Sequence, residues 1–224
     1  MRQPLVLISG VNMENIKRSI TELGNPAKPQ GEAGVEMLLG MNVHHSGVTG
    51  WALSFLEAES SDIILDIGCG GGEALRRISS DVVTGKLYGV DHSDVSVRLS
   101  TEHNAKDVEC GKIRIIKASV DKLPFEDNFF NKVLTVESFY FWKEPAENLK
   151  EVLRVIKKGG KLFIAADIHG DAELDEKDIE GIEKFSLFNP SLAEFRSLLE
   201  NAGFINVKLH TKSGEKWVCA EGEK

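Results

Sequence analysis

Two carboxylates bracket a glycine-rich turn in the first half of the chain. Asp66 stands in the apolar, β-branched run Ile63-Ile64-Leu65-Asp66-Ile67, and Gly68-Cys69-Gly70-Gly71-Gly72 follows at once. Glycines let a backbone bend sharply and let a ligand lie against it with no Cβ in the way. Asp91 closes a second run, Lys86-Leu87-Tyr88-Gly89-Val90. A turn built for pyrophosphate offers N–H groups and a positive helix end to negative charge. A carboxylate beside that turn repels phosphate and suits a cation. An acid closing the second strand is placed to take both hydroxyls of a ribose. The implied ligand has a ribose and a positive group, and no phosphate at the turn. S-adenosylmethionine meets that description. A dinucleotide meets it less well.

Four segments in order carry a wider resemblance. They are Leu65-Asp66-Ile67-Gly68-Cys69-Gly70-Gly71-Gly72, then Gly89-Val90-Asp91, then Leu123-Pro124-Phe125-Glu126-Asp127-Asn128-Phe129-Phe130. The last is Val152-Leu153-Arg154-Val155-Ile156-Lys157-Lys158-Gly159-Gly160-Lys161-Leu162. Residues 62–166 resemble the class I S-adenosylmethionine-dependent methyltransferases, in particular the small-molecule type 11 group. The resemblance implies a Rossmann-like α/β fold with a seven-stranded, mostly parallel sheet. Helices cover both faces and an antiparallel hairpin closes the C-terminal side.

The same resemblance assigns roles. Asp66, Gly68, Cys69, Gly70, Gly72, Asp91 and His92 hold the cofactor, with Val136 and Glu137 at the end of the fourth strand. At the adenine contact the family often has an acid; here Ser119 stands there with Val120 beside it, and serine still accepts a hydrogen bond. Asp121 is a second candidate for that contact. The segment before the first core strand folds over the cofactor in related enzymes, which brings His44, His45 and Trp51 toward the site. Two histidines in a polar loop are as readily solvated, and Trp51 on an apolar helix face is as readily core. Tyr140, Trp142 and His169 are candidates for the acceptor side; the aromatic run Phe139 to Trp142 equally suits packing under a helix. His45 is the first choice for a general base and Tyr140 the second. No residue pattern implies a metal.

The elements that must position these residues follow the hydrophobic pattern. A helix is expected from Gly50 to Glu59, with Trp51, Ala52, Phe55 and Leu56 on one face. Residues 24–34, rich in Gly, Pro, Lys and Glu, read as a loop. A helix follows the glycine turn, and another spans residues 93–106. Strands are expected at Lys112 to Lys117, Asn131 to Val136 and Lys161 to Ala166. From Pro145 a helix buries Leu149, Val152, Leu153 and Ile156; Lys157 and Lys158 suit its negative end, and Gly159-Gly160 stops it. Residues 167–184 are strongly acidic and read either as a solvated helical face or as a lid for a cationic substrate. Ser191-Leu192-Ala193-Glu194 is a capping box. Its helix buries Leu192, Phe195, Leu198 and Leu199 and ends at Gly203. Phe204 to His210 and Trp217 to Ala220 form the closing hairpin. Leu5-Val6-Leu7-Ile8 is a short strand or a packing arm. The expected division is an arm and cap over residues 1–48 and a methyltransferase domain over 49–224, with an acidic insertion at about 167–190.

Composition narrows the function. The 224 residues suffice for one large α/β domain. A net charge of −8 disfavours a protein that grips nucleic acid through phosphates. Three cysteines, Cys69, Cys110 and Cys219, match no zinc spacing and read as cytoplasmic thiols. No apolar run reaches membrane-spanning length. The leading expectation is methyl transfer to a small-molecule acceptor by in-line displacement. A non-catalytic S-adenosylmethionine-binding protein and a nicotinamide-dependent oxidoreductase are the alternatives.

Overall fold

The computed structural model describes residues 24–224. The segment Leu5 to Ile8 lies outside the described residues. Two helices come first, α1 (Gly31–His44) and α2 (Ser46–Leu56). Then β1 (Ile63–Ile67), α3 (Glu73–Ile78), β2 (Lys86–Asp91), α4 (Asp94–His103), α5 (Ala105–Glu109) and β3 (Ile113–Lys117) alternate. The second half holds β4 (Phe130–Val136), α6 (Pro145–Val155), β5 (Ile156–Ala166), α7 (Glu176–Phe185), α8 (Leu192–Ala202), β6 (Ile205–Thr211) and β7 (Val218–Glu223).

One seven-stranded sheet runs β3-β2-β1-β4-β5-β7-β6. The first five strands pair in parallel; β7 pairs antiparallel with both β5 and β6. The sequence-based expectation of a mostly parallel sheet with a closing antiparallel hairpin is met. The chain winds outward one way through β2 and β3 and the other way through β4 and β5. The order therefore reverses between β1 and β4, and a crevice opens at the carboxyl ends of those two strands.

Period-two alternation sorts the strands between two cores. Leu65, Ile67, Val133, Leu162 and Ile164 join Leu149, Val152 and Val155 of α6 and Phe195 and Leu199 of α8. Ile64, Leu134, Phe163 and Ala165 face the other way and join Ala52 and Leu56 of α2 and Leu75 and Ile78 of α3. Burying each such side chain contributes about 1.5–3 kcal/mol.

Several boundaries differ from expectation. The stretch read as a loop at 24–34 already enters α1 at Gly31. Gly34 is the reason: an added Cβ there would lie 2.8 Å from the Pro29 carbonyl carbon, so α1 packs back on its own entry. Residues 48 and 49 fall inside α2, which starts at Ser46 rather than Gly50. The helix from Pro145 ends at Val155, and Ile156 is extended. Lys157, Lys158 and the glycine pair lie within β5 rather than capping the helix, because Phe130 pairs with Ile156 and extends the ladder. The capping box at Ser191 forms as expected, with the Glu194 N–H donating to Ser191 Oγ at 3.2 Å. The acidic segment contributes α7, which has no buried residue. Among the described residues no helix is long and apolar enough to cross a membrane.

Candidate active site

The glycine turn joins β1 to α3 and is tied to the end of β2 by its own backbone. The N–H groups of Gly68 and Cys69 donate to the Val90 carbonyl at 2.8 and 3.1 Å, and that of Gly70 donates to Asp91 Oδ2 at 3.1 Å. The Gly72 N–H donates to the Cys69 carbonyl. Four N–H groups that a phosphate would need are therefore spent inside the protein. Gly68, Gly70 and Gly72 all have positive φ. A Cβ on Gly68 would stand 2.0 Å from Ser138 Oγ, so the turn sits directly against the chain leaving β4.

The titratable groups around the turn are acids. Asp66 and Asp91 are both buried. Burial pushes Asp66 up to about 7, and the charge of Asp91 adds to the rise. Burial also raises Asp91, against the N–H bonds from Ser93 and Gly70. Cys69 is buried and its thiol is pushed well up by burial and by both aspartates, so it stays neutral there. A phosphate would be repelled, whereas a ribose diol and an ammonium group fit this donor-poor, acid-rich lining. The residues present therefore suit S-adenosylmethionine. His92, half exposed, has Nδ1 3.9 Å from Asp91 Oδ1. Ser119 is exposed and lies in a short bridge with Lys122 beyond β3, with Val120 half-buried next to it.

Helix α1 lies over this turn. Leu38 Cδ2 is 3.6 Å from where a Gly70 Cβ would be, and Asn42 Nδ2 is 2.5 Å from the corresponding point on Gly71. The Ser93 hydroxyl donates to the Pro29 carbonyl at 2.8 Å and ties the start of α1 to the loop after β2. Asn42 and Ser138 escaped the sequence reading. Nothing marks either as functional until the turn is seen to press against it.

A second cluster stands at the ends of β4 and β5. Glu137 follows Val136 directly, in a left-handed conformation (φ 55°) that places its N–H on the Ala165 carbonyl. The Tyr140 hydroxyl donates to Glu137 Oε2 at 2.9 Å. His45 Nε2 lies 3.6 Å from the same oxygen. Glu137 Oε1 is buried and has no hydrogen-bond partner among the described residues. Asp167 follows β5, and one ligand atom each of His44, His45 and Asp167 falls within 4.8 Å of the others. Burial raises Glu137 well above the carboxylate range, and the charge of Asp167 adds to it. Burial holds His45 down at about 4, so its imidazole is neutral at physiological pH. Tyr140 is pushed well above its ordinary value by burial and by Glu137 and Asp167, so its phenol remains a donor.

The other expected acceptor-side residues divide. Tyr140 also lines a narrow apolar pocket with Phe139, Ile168, Leu187 and Phe188. Trp142 is buried in the core, its ring 5.0 Å from that of Phe139. His169 is buried in the turn after β5, with Nδ1 lacking a partner among the described residues. His44 is exposed, its ring edge-on to His45 at 5.1 Å. Trp51 packs on Phe55 and Trp217 rather than on the glycine turn.

Comparison with known proteins agrees with this geometry. A family profile described as a methyltransferase domain matches residues 65–164, from β1 into β5. An uncharacterized methyltransferase of Bacillus subtilis, YdaC, is 26% identical over 176 residues, covering 78% of this chain and 90% of that protein. The 2-phytyl-1,4-naphtoquinone methyltransferase of Nostoc punctiforme is 29% identical over 159 residues, covering 70% of this chain and 68% of that one. Among solved structures, the fold matches a Haemonchus contortus phosphoethanolamine N-methyltransferase bound to phosphomonomethylethanolamine and S-adenosylhomocysteine. The TM-score is 0.74 at 16% identity, over 92% of this chain and 61% of that one. A chain from the complex of the Haloferax volcanii Trm112 activator with a methyltransferase gives 0.70 at 22% identity, over 83% and 92%. With its switch-point crevice and the matched domain over residues 65–164, the chain is an S-adenosylmethionine-dependent methyltransferase that carries a type 11 methyltransferase domain.

Proposed function

We propose that the methyl acceptor is a small molecule and that it binds between the glycine turn and the cluster of His45, Glu137, Tyr140 and Asp167. The observation that carries this reading is the buried Glu137 carboxylate. It is held in a left-handed backbone conformation, takes a hydrogen bond from Tyr140, and keeps its second oxygen without a partner among the described residues. Such strain and such an unpaired buried oxygen are costly, and they persist where function uses them. When bound, S-adenosylmethionine supplies an activated methyl group on a positive sulfur.

The chain's own residues then have few tasks. Asp66, Asp91 and the glycine turn hold the cofactor, together with Val136, His92 and, at the adenine, Ser119 and Val120. Helix α1 excludes water from one side. Tyr140 orients Glu137 by its hydroxyl. His45 keeps its lone pair at neutral pH and takes the acceptor proton. Orientation and water exclusion supply most of the acceleration in such a displacement. No covalent intermediate is required.

The net charge of −8 supports a small acceptor over a nucleic acid, whose phosphates would meet repulsion. The three unpaired thiols support a cytoplasmic setting. The test is production of S-adenosylhomocysteine on incubation with S-adenosylmethionine and a deproteinised, nucleic-acid-free metabolite extract. Product with that extract supports the reading. Product only with the tRNA or protein fraction refutes the small acceptor.

A further inference from the structure

The acceptor cluster has an imbalance of charge. Glu137, only 5% exposed at its side chain, offers Oε1 with no donor among the described residues and Oε2 to Tyr140. Asp167 is near enough for its charge to act on Glu137, and one of its carboxylate oxygens lies within 4.8 Å of a ring nitrogen of His44 and of His45. The one potential cation in ion-pair reach of Glu137 among the described residues is His45. Burial and the charge of Asp167 hold a proton on Glu137, so the two acids carry one buried negative charge beside a phenol already committed as a donor and a neutral imidazole, and an arriving cation draws Glu137 into its ionised form. A buried acceptor without a donor is costly, and a ligand bringing N–H groups removes that cost.

We infer, on the reading of this cluster as the acceptor site, that the acceptor is a primary or secondary amine that binds as an ammonium ion between Glu137 and Asp167. An ammonium brings two or three donors and one positive charge. They match Glu137 Oε1, an Asp167 oxygen and the His45 lone pair. A neutral alcohol brings one donor and no charge. A carboxylate or phosphate brings neither and meets the negative charge of Asp167.

The balance of the reaction follows. The ammonium nitrogen gives one proton to His45 and recovers its lone pair. That pair forms the new N–C bond to the methyl carbon. The S–CH3 bond breaks with its electrons kept by sulfur, which becomes a neutral thioether. The proton on His45 leaves through His44, which is exposed and whose ring is 5.1 Å away. His45 is thus a catalytic base that also recognises the acceptor.

The experiment is calorimetric titration of the untagged protein, saturated with S-adenosylhomocysteine, with primary amines of two to eight carbons. The matching alcohols and carboxylates are titrated in parallel. The expected result is at least one amine binding tenfold or more tightly than its alcohol, with no measurable binding of its carboxylate. Asp167→Asn and Glu137→Gln should each weaken that amine tenfold or more; Asp167→Asn should leave affinity for S-adenosylhomocysteine within twofold. Equal binding of amine and alcohol, no amine binding across the series, or unchanged amine affinity in both variants would overturn the inference. So would micromolar Zn2+ binding that is lost in His44→Ala, without any amine preference. Continued S-adenosylhomocysteine production from the metabolite extract in those cases leaves the small-acceptor reading standing and removes this one alone.

Discussion

The Gly70 N–H donates to Asp91 Oδ2 at 3.1 Å, while Asp91 Oδ1 takes the Ser93 N–H at 2.8 Å. Asp91 therefore has two tasks. It anchors the glycine turn to the end of β2, and on the proposed reading its remaining lone pairs take the ribose hydroxyls. Asp91→Ala should lose both, and Asp91→Asn should keep one acceptor for the backbone but lose the charge. With charge-assisted hydrogen bonds worth roughly 1.5–3 kcal/mol, Asp91→Ala should weaken S-adenosylhomocysteine binding about 10- to 100-fold. Asp91→Asn should fall between it and the wild type. Calorimetry of all three proteins checks the order, and unchanged affinity in Asp91→Ala would move the ribose site elsewhere.

Asp66 connects binding to pH. Its carboxyl keeps its proton up to about pH 7 in the folded protein, whereas an unfolded aspartate loses it near pH 4. The folded state therefore binds more protons between those values. Stability is greatest below pH 4 as far as this group is concerned, and falls as pH rises to about 7. Asp66→Asn removes that decline and should be the more stable protein at pH 8, by up to about 4 kcal/mol for a shift of roughly three units. Urea denaturation at pH 5 and pH 8 measures it. Ligand binding should run the other way. A cationic group draws Asp66 into its ionised form, so S-adenosylmethionine affinity should rise from pH 5 to 7 in the wild type and stay flat in Asp66→Asn.

Glu73 opens α3 just after the glycine turn and gathers three partners. Its oxygens accept from Arg76 Nε at 2.8 Å and Arg77 Nε at 2.7 Å, and one lies 3.0 Å from His103 Nε2. Arg77 in turn donates to the Ser46 carbonyl and hydroxyl at 2.9 and 2.6 Å, tying α3 to the start of α2. Burial acts to raise the Glu73 carboxyl, but hydrogen bonds from Arg76, His103 and Arg77 outweigh it and hold the group well below the usual range. This stability is present above the unfolded value near pH 4.3 and is lost as pH falls below it. Glu73→Gln should cost about 1–3 kcal/mol at pH 7, and the gap to the wild type should narrow at pH 3. A constant gap across that range would assign the effect to packing instead of charge.

Much of this arrangement was legible because strands and cofactor turns write short local patterns. The run Ile63 to Ile67 with its glycines, and Asp91 at the end of the next strand, need only near neighbours to be read. The acceptor side is different. Glu137 could be named from its place after Val136, but not its left-handed backbone or its bond to Tyr140. Trp142 suits either the acceptor wall or the core in sequence, since aromatic runs carry no mark of which face they turn to, and in the structure it packs on Phe139. Asn42 was invisible: its contact with Gly71 exists only because α1 folds back over a turn about 30 residues further along the chain. Lys157 and Lys158 looked like helix-end residues because charge preference is weak beside a strand ladder that begins at Ile156.

The two candidate bases separate by pH. Tyr140 donates to Glu137, and its phenol is pushed well above 10 by burial and then by its acidic neighbours. Removing the hydroxyl in Tyr140→Phe should lower kcat about tenfold through the loss of one oriented hydrogen bond of roughly 1–1.5 kcal/mol. It should not create or remove a limb of the pH profile between pH 6 and 9. His45 is neutral down to about pH 4. Its lone pair is present across the whole neutral range, so activity should not fall through an ordinary histidine pKa near 6.5. His45→Ala should lower kcat by about 100-fold or more, in the range for loss of a general base. His45→Gln, which offers an acceptor but cannot take a proton, should not restore it. If His45→Gln matched the wild type while Tyr140→Phe lost all activity, the proton would not pass through His45, and the order of the two residues would be reversed.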